Sequence, residues 1–392
     1  MHWNYAPFLG TRLSLTIMPP FLCITFLLIS PLSKNQGTQK IMLNRKYRKI
    51  LKISIPFIVL AAIVITNQPC DRECLKSRAS NHKVRRIYFW QSTVDKPVID
   101  NIGPAPDAVT RLVNIDNEIN GYPTETIPAE KNEALFADIK HAYMGLPAVL
   151  QDYLEDKIAG IYLVKNLGGT GYTDVFFNKA GKLAGAFILL DVDAIDQTAN
   201  DWATYKESSP FKQGPLRVEA LIEATSENTR QNTMAFILLH EIGHIVGVFE
   251  RAHPKWWKLP TKNSIRSNSF AKISWQFAPL ARFAPLEKNK MHKDLVFYFG
   301  AQKHNSASLE TYEILQQSSF ITLYGATNVY DDFADSFAVY IHEKILKNPY
   351  FINIFENNLI KFSYKTCWGE PRCEQKEKYL DQLYKKMGPS TK

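Results

Sequence analysis

The strongest chemical signal in the sequence is a pair of histidines separated by three residues, with an acid directly after the first. His240, Glu241 and His244 lie within the apolar run TRQNTMAFILLHEIGHIVGVF, residues 229–249. Residues four apart share one face of an α-helix, so both imidazoles can reach one metal ion. Glu241 projects about 100° round the helix from His240 and can reach a water molecule at that ion. This is the HExxH pattern of zinc hydrolases, in which the glutamate serves as general base.

A purely structural role for these three side chains is unfavourable. Each is ionisable and stands in an otherwise apolar helix, where burial without a metal or a polar partner costs several kcal/mol. The pattern therefore indicates a metal site.

A catalytic zinc site needs a third protein ligand and leaves a fourth position for water. Two places in the sequence could supply that ligand. Glu250 stands where enzymes with the longer HExxHxxGxxH motif carry a third histidine, and Gly247 matches the glycine of that motif. The other place is a second predicted helix, residues 328–346, in which Asp331 and Asp335 lie four residues apart on one face. There, one carboxylate could bind the metal while the other accepts the second N–H of a ligand histidine.

The segment HEIGH, followed downstream by YGATNVYDDFADSF, resembles the zinc peptidases of the anthrax lethal factor type. Those enzymes have a tyrosine and, seven residues later, a zinc-binding glutamate in an E-x-F-A-E segment. More loosely, the chain is similar to the thermolysin-like group, whose ligand glutamate is followed four residues later by a carboxylate. By position, the resemblance implies that Tyr324 is catalytic, that Asp331 is the third zinc ligand and that Asp335 orients a ligand histidine.

The chain departs from this family at the third ligand, where aspartate replaces glutamate and is one methylene shorter. Either the helix lies closer to the metal, or the ligand is Asp335, one turn later. The resemblance spans residues 240–337 and implies nothing about residues 70–220.

The resemblance implies a zinc-dependent endopeptidase that holds one Zn²⁺ ion with His240, His244 and Asp331. The ion would act as a Lewis acid, Glu241 as general base, and Tyr324 would donate a hydrogen bond to the oxyanion of the tetrahedral intermediate. The expected partner is a polypeptide substrate. The alternative is a non-catalytic exported binding protein whose zinc site is structural or degenerate.

The elements that must position these residues predict an α+β fold. Helical spacing of apolar residues predicts helices in residues 133–158. Short apolar runs at 161–164, 174–177 and 183–190 predict a small antiparallel sheet, packed against the metal helix and followed by a mainly helical C-terminal part. Residues 183–190 are the expected edge for pairing with an extended peptide. The glycine-rich segment NLGGTGY, residues 166–172, is expected to be a tight turn, since a phosphate loop would precede a helix.

Several other residues near these motifs have no partner at a meaningful spacing. We expect His253 and His342 to be surface or hydrogen-bonded histidines and Asp332 to be solvated. Trp256 and Trp257 are expected to pack in a loop.

The charge distribution argues against nucleic acid as a partner. The chain has 392 residues, 45% hydrophobic and 22% charged, which is typical of a globular protein. Its formal net charge is +9, but residues 1–66 contain eight basic residues and no acid, which leaves +1 for the remainder. The body of the protein therefore has no polycationic surface that could neutralise phosphates.

The N-terminal residues, 1–69, are interpreted as a targeting region. A basic stretch at 45–52 precedes the apolar run ISIPFIVLAAIVIT, residues 53–66, whose length suits a signal peptide better than a spanning helix. No small-residue cleavage site follows, so a retained membrane anchor is the alternative. An earlier apolar stretch, 13–32, is interrupted by prolines. Met42 begins the segment MLNRKYRK, which is a better opening for a signal peptide than Met1, so translation could start there. Alternatively, the two stretches could form a membrane hairpin with the basic segment in the cytoplasm.

The cysteines are consistent with export. Besides Cys23, four remain, in two groups near the ends of the body: Cys70 and Cys74, and Cys367 and Cys373. An even number in an exported chain predicts two disulfides, whose connectivity is open. The spacings are too long for a typical four-cysteine zinc site.

The predicted organisation has three parts. Residues 1–69 form the targeting region, residues 70–130 a polar extended arm or linker rich in proline, and residues 131–392 the zinc metallopeptidase domain. The protein is expected to be exported across the inner membrane, as a periplasmic or secreted protein, or to be anchored to that membrane.

Overall fold

The computed structural model describes residues 70–279, 282–287, 291, 295–298 and 300–388. The predictions for residues 1–69 lie outside the described residues.

The described chain contains eleven α-helices and ten strands. The helices are α1 (Arg72–Asn81), α2 (Asp107–Asn120), α3 (Glu133–Met144), α4 (Ala148–Leu154), α5 (Ala199–Ser208), α6 (Arg230–Phe249), α7 (Lys262–Arg266), α8 (Ala271–Ser274), α9 (Ala307–Leu315), α10 (Val329–Val339) and α11 (Glu374–Met387). The strands are β1 (Ile102–Pro104), β2 (Ile127–Pro128), β3 (Ile158–Lys165), β4 (Gly171–Phe177), β5 (Leu183–Asp191), β6 (Leu216–Leu221), β7 (Trp275–Ala278), β8 (Arg282–Pro285), β9 (Phe351–Glu356) and β10 (Leu359–Lys365). A π-helical turn, Tyr340–Ile345, continues α10.

The main sheet has the strand order β1-β3-β5-β4, with β2 pairing on β3. Strand β3 is parallel to β1 and β5, whereas β4 is antiparallel to β5. The predicted α+β class and helical C-terminal part are confirmed. The sheet is mixed rather than antiparallel throughout. Strands β3 and β4 are not neighbours, because β5 lies between them and pairs parallel with β3 and antiparallel with β4.

The prediction that residues 183–190 form the edge of the sheet is wrong. These residues form β5, which lies between β3 and β4 and whose residues 186–190 are fully buried. A strand that is apolar on both faces gains most from a central position, where both faces and both edges are covered. The edge strand is β4, whose outer side has a single bridge, from Phe177 to Arg86, among the described residues.

The segment predicted to be an extended arm is part of the folded domain. Helices α1 and α2 pack on each other, and β1 pairs with β3. Trp90 is buried, donates its Nε1–H to the Val84 carbonyl at 2.7 Å and stacks on Phe187 of β5. The segment is polar overall, but α2 has an apolar face that is buried in the core and includes Val109 and Leu112.

Helices α6 and α10 cross with their backbones almost in contact. A Cβ atom at Gly243 would lie 2.7 Å from the Cα of Ala334 and 2.8 Å from its carbonyl oxygen, so glycine is required there. Helix α10 begins at Asn328, whose Oδ1 accepts hydrogen bonds from the backbone N–H groups of Tyr330 and Asp331. Among the described helices, α6 alone is long and apolar enough to cross a membrane, and 78% of its apolar window is buried within the protein.

The C-terminal part encloses α10 from the other side. Strands β10, β9 and β6 form an antiparallel sheet in that order. Cys367 and Cys373 form a disulfide directly before α11, and Cys70 and Cys74 are also disulfide-bonded, so the prediction of two disulfides is confirmed.

The expectation that Asp332 is solvated is wrong. Its Oδ1 accepts from Lys376 Nζ of α11 at 2.5 Å, and its Oδ2 accepts from Trp275 Nε1 at 2.9 Å. Both members of this ion pair are buried. The covering helix follows about 40 residues later in the chain, so no local pattern signals this pairing.

Candidate metal centre

The side chains of His240, His244 and Asp331 converge on one point between α6 and α10. The two Nε2 atoms are 3.2 Å apart, and Asp331 Oδ1 lies 3.3 Å from Nε2 of His244 and 3.8 Å from Nε2 of His240. Ligand atoms about 2.1 Å from a tetrahedral zinc ion are separated from one another by about 3.4 Å. The three distances therefore match one face of a zinc coordination tetrahedron.

The two oxygens of the Asp331 carboxylate have different surroundings. One accepts a hydrogen bond within the protein, and the other lies next to the Nε2 atoms of the two histidines. Oδ2 accepts from Asn328 Nδ2, whereas Oδ1 is buried with no well-formed hydrogen bond among the described residues. Burial by itself would raise the pKa of this carboxyl, but the nearby imidazoles of His244 and His240 hold it well below its usual range. A buried ionised oxygen beside two imidazole nitrogens is a donor set that suits zinc.

Asp335 contacts the other nitrogen of the His240 ring, Nδ1, whereas His244 and Asp331 lie next to Nε2. Its Oδ1 accepts from His240 Nδ1 at 2.6 Å, which leaves Nε2 free of the proton and directed at the other two ligands. Burial would raise the pKa of Asp335, but the charges of Lys206 and His240 and the hydrogen bond from Thr322 lower it to about 2. The carboxylate is therefore ionised and can accept the imidazole N–H.

Of the three candidates for the third ligand, Asp331 is the one that approaches both Nε2 atoms. Glu250 lies at the C-terminal end of α6, where it accepts from the hydroxyl of Tyr153 at 2.9 Å and pairs with Lys386. Asp335 contacts only the far nitrogen of His240.

The remaining histidines of the motif regions are buried and hydrogen-bonded. His342 Nε2 donates to the Ile222 carbonyl at 2.7 Å, and His253 Nδ1 donates to the Pro254 carbonyl at 2.8 Å. Burial lowers the pKa of His342 to about 4 and that of His253 to about 3, so both are neutral. Trp256 packs against His253 in the loop after α6, in agreement with a packing role.

Glu241 lies between α6 and the edge strand β4. Its Oε2 accepts from Thr173 Oγ1 at 2.7 Å, and its side chain is almost fully buried. Gly171 leaves the space for this carboxylate, because a Cβ atom there would lie 2.8 Å from Glu241 Cδ. The glycine-rich segment after β3 therefore does more than turn the chain, since it allows the strand to pass close to the candidate base.

A cavity lies beside these groups, with about 430 Å³ of empty space that includes its opening to solvent. Its lining is contributed by the β3–β4 loop, α5, α6, α10 and nearby aromatic residues: Gly169, Thr170, Gly171, Trp202, Lys206, Phe236, Ile237, His240, Glu241, Tyr298, Tyr324 and Asp335. His240 is the most accessible of the three ligand side chains, at 12% exposed, against 1% for His244 and none for Asp331. Of the three, His240 is the one that lines the cavity.

Tyr324 borders this cavity next to His240. The centres of the two rings are 5.7 Å apart, and the edge of Phe297 packs against the tyrosine at 4.9 Å. Burial raises the pKa of the phenol well above its ordinary value. The hydroxyl stays protonated at neutral pH and can act as a hydrogen-bond donor.

The hydrolysis expected from the sequence should fall by roughly 100-fold when Gly171 is replaced with alanine, because the new methyl group would displace the Glu241 carboxylate. Gly169→Ala is the matched control, since a Cβ atom at that cavity residue meets no atom within 4 Å. The measurement is kcat for both variants against the unchanged protein. Equal effects of the two substitutions would contradict the assigned contact.

Comparison of the chain with known proteins finds no matching family model, no matching curated protein and no matching solved structure.

Proposed function

We propose that this protein is a zinc-dependent endopeptidase. The observation that carries the proposal is the convergence of His240, His244 and Asp331 at distances suited to zinc, next to a cavity that is lined by both His240 and Glu241. A structural zinc site is closed by four protein ligands. The described residues supply a group of three, of which His240 is partly exposed and lines the cavity.

Zinc bound at this triangle supplies Lewis acidity, which polarises a carbonyl and lowers the pKa of water to near neutrality. Glu241 takes the proton from the attacking water and delivers it to the nitrogen of the departing amine. Thr173 holds one oxygen of Glu241, which leaves the other for this proton transfer. Tyr324 donates its hydroxyl hydrogen to the oxygen on which negative charge develops.

The position of β4 supports an extended polypeptide as substrate. This strand lies at the edge of the sheet and passes Glu241 at Gly171 and Thr173. Residues 172–176 of β4 are buried, but Gly171 at the start of the strand lines the cavity together with Gly169 and Thr170. Backbone hydrogen bonds from an extended peptide to this accessible segment would place a peptide bond beside the metal centre.

We further propose that the protein works outside the cytoplasm, exported or anchored to the membrane. The disulfide between Cys367 and Cys373 supports this, because such bonds persist in oxidising compartments. The candidate anchor, residues 53–66, lies outside the described residues.

The proposal is tested by metal analysis of the purified protein together with a peptide-library assay. We expect about one zinc ion per chain, hydrolysis of library peptides, loss of hydrolysis on treatment with a chelator and its return on addition of Zn²⁺. Hydrolysis that persists after complete removal of zinc would refute the metal mechanism. A zinc-loaded protein inert towards the whole library would favour the non-catalytic alternative.

Tyr324→Phe is expected to lower kcat about 100-fold with little change in KM, because the lost hydrogen bond forms only as charge develops. Tyr364→Phe is a suitable control, since it removes another buried hydroxyl, which donates to the Ile321 carbonyl away from the cavity. Steady-state kinetics on one peptide decide the matter. A rise in KM at constant kcat would assign Tyr324 to substrate binding instead.

A further inference from the structure

Asp335, the partner of His240, is itself held by a lysine on a different helix. Lys206 lies on α5, is 3% exposed, and donates from Nζ to Asp335 Oδ2 at 3.2 Å. Thr322 donates to the same oxygen at 2.5 Å, whereas His240 donates to Oδ1. Because the two oxygens have different partners, the carboxylate cannot rotate without losing a charge-assisted hydrogen bond.

This support matters because the second imidazole has none. Nδ1 of His244 is buried without a hydrogen-bond partner among the described residues. In metal sites, the second ring nitrogen of a ligand histidine almost always donates to a carboxylate, a carbonyl or water, and this bond fixes the ring. Of the two ligand histidines, His240 is therefore the one whose ring is oriented by a hydrogen bond at its second nitrogen, and Asp335 accepts that bond.

Asp335 is the nearer of the two acids that pair with the ammonium group of Lys206. Glu207 Oε1 is 3.8 Å away, but its carboxylate already accepts from the hydroxyls of Tyr312 and Tyr350. Removal of Lys206 would leave Asp335 as a buried anion with one charged neighbour fewer.

The same ammonium group also contacts Tyr324, which lines the same cavity. Nζ of Lys206 lies 4.7 Å from the ring centre of Tyr324, within the range of a cation–π interaction. One side chain thus contacts both the carboxylate behind His240 and the ring of the candidate catalytic tyrosine.

We propose that Lys206 is a positioning residue of the metal centre. It fixes the carboxylate of Asp335, and through it the direction of His240 Nε2, and it holds the ring of Tyr324 at the edge of the cavity. The part of the proposal that concerns Tyr324 rests on the proposed peptidase function, whereas the part that concerns His240 requires only that the site binds a metal.

The test compares Lys206→Met with Lys376→Met. Both substitutions remove a buried lysine that pairs with an acid of α10, but Asp332 does not contact the ligand histidines. For Lys206→Met we expect about tenfold weaker Zn²⁺ binding and a shifted absorption spectrum of the Co²⁺-loaded protein, since loss of outer partners typically costs about 10–100-fold in metal affinity. For Lys376→Met we expect zinc affinity and the cobalt spectrum to stay as in the unchanged protein, although its folding stability falls.

Two results would overturn the proposal: wild-type affinity and spectrum in Lys206→Met, or equal changes in both variants. If Lys206→Met does not fold, Asp335→Asn is compared with Asp335→Asn/Lys206→Met, in which neither charge of the Lys206–Asp335 pair remains. Equal zinc affinities are expected there, because Lys206 acts on the metal through Asp335, and a further loss of about tenfold would refute that route. If Lys376→Met fails, Lys376→Met/Asp332→Asn replaces it.

Kinetic measurements distinguish a failure of this inference from a failure of the proposed peptidase function. If peptides are hydrolysed, Lys206→Met should lower kcat more than it raises KM. If the unchanged protein hydrolyses no peptide, the peptidase proposal fails, but the zinc and cobalt measurements still decide whether Lys206 orients the ligands.

Discussion

Glu241→Gln is expected to abolish measurable hydrolysis while zinc stays bound. The substitution keeps the shape of the side chain, and its carbonyl oxygen can still accept the hydrogen bond from Thr173. Glutamine cannot take a proton from water, and a positioned general base contributes about 10²–10⁴-fold to the rate. The ligand atoms of His240, His244 and Asp331 are untouched, so metal content should remain that of the unchanged protein.

Glu250→Gln provides the matched control for this experiment. Glu250 belongs to the end of the same helix but is occupied by Tyr153 and Lys386. Its replacement should leave kcat within a few-fold of the unchanged protein. Activity of Glu241→Gln at the level of this control would remove Glu241 from the mechanism, whereas loss of zinc would show that Glu241 supports the metal.

Asp331→Ala is expected to weaken zinc binding by more than about 100-fold and to eliminate hydrolysis with it. Loss of a partner behind a ligand typically costs about 10–100-fold in affinity, and loss of a direct ligand should exceed that. Asp331 Oδ1 lies 3.3 Å from Nε2 of His244 and 3.8 Å from Nε2 of His240, the two nitrogens that face each other. Zinc binding stabilises the folded state, so added Zn²⁺ should raise the Tm of the unchanged protein but not that of Asp331→Ala.

The three candidate ligands can be ranked by the same measurement. Asp335→Ala should cost less zinc affinity than Asp331→Ala, because Asp335 acts through His240. Glu250→Ala should cost none. If Asp335→Ala or Glu250→Ala proves more harmful than Asp331→Ala, the ligand assignment moves to that residue.

The candidate ligands on the two helices could be predicted from the sequence, because the spacing of residues along one helix is a local pattern. The spacing of His240 and His244, and of Asp331 and Asp335, has meaning only on a helix, and the flanking apolar residues have helical periodicity. The structure places both pairs on helices, α6 and α10.

The sheet and the polar surroundings of the site could not be predicted in this way. The order of strands depends on which edges meet after the chain has turned, so the sequence of β5 does not reveal that this strand is central. Lys206 and Thr173 reach the site from helices and strands far away in sequence, and neither stands in a motif. The β3–β4 glycines were a visible signal, but their relation to Glu241 exists only in three dimensions.

If Asp331 is the third zinc ligand, the near-contact of Gly243 with Ala334 gives a reason why an aspartate serves there. With the two helical axes so close, the short reach of an aspartate spans the distance from α10 to the imidazole nitrogens. A glutamate at 331 would be too long for the gap, and a bulkier residue at 243 or 334 would open it beyond the reach of aspartate. The three positions therefore have to vary together, so a homologue with glutamate as ligand should carry a larger side chain at the crossing.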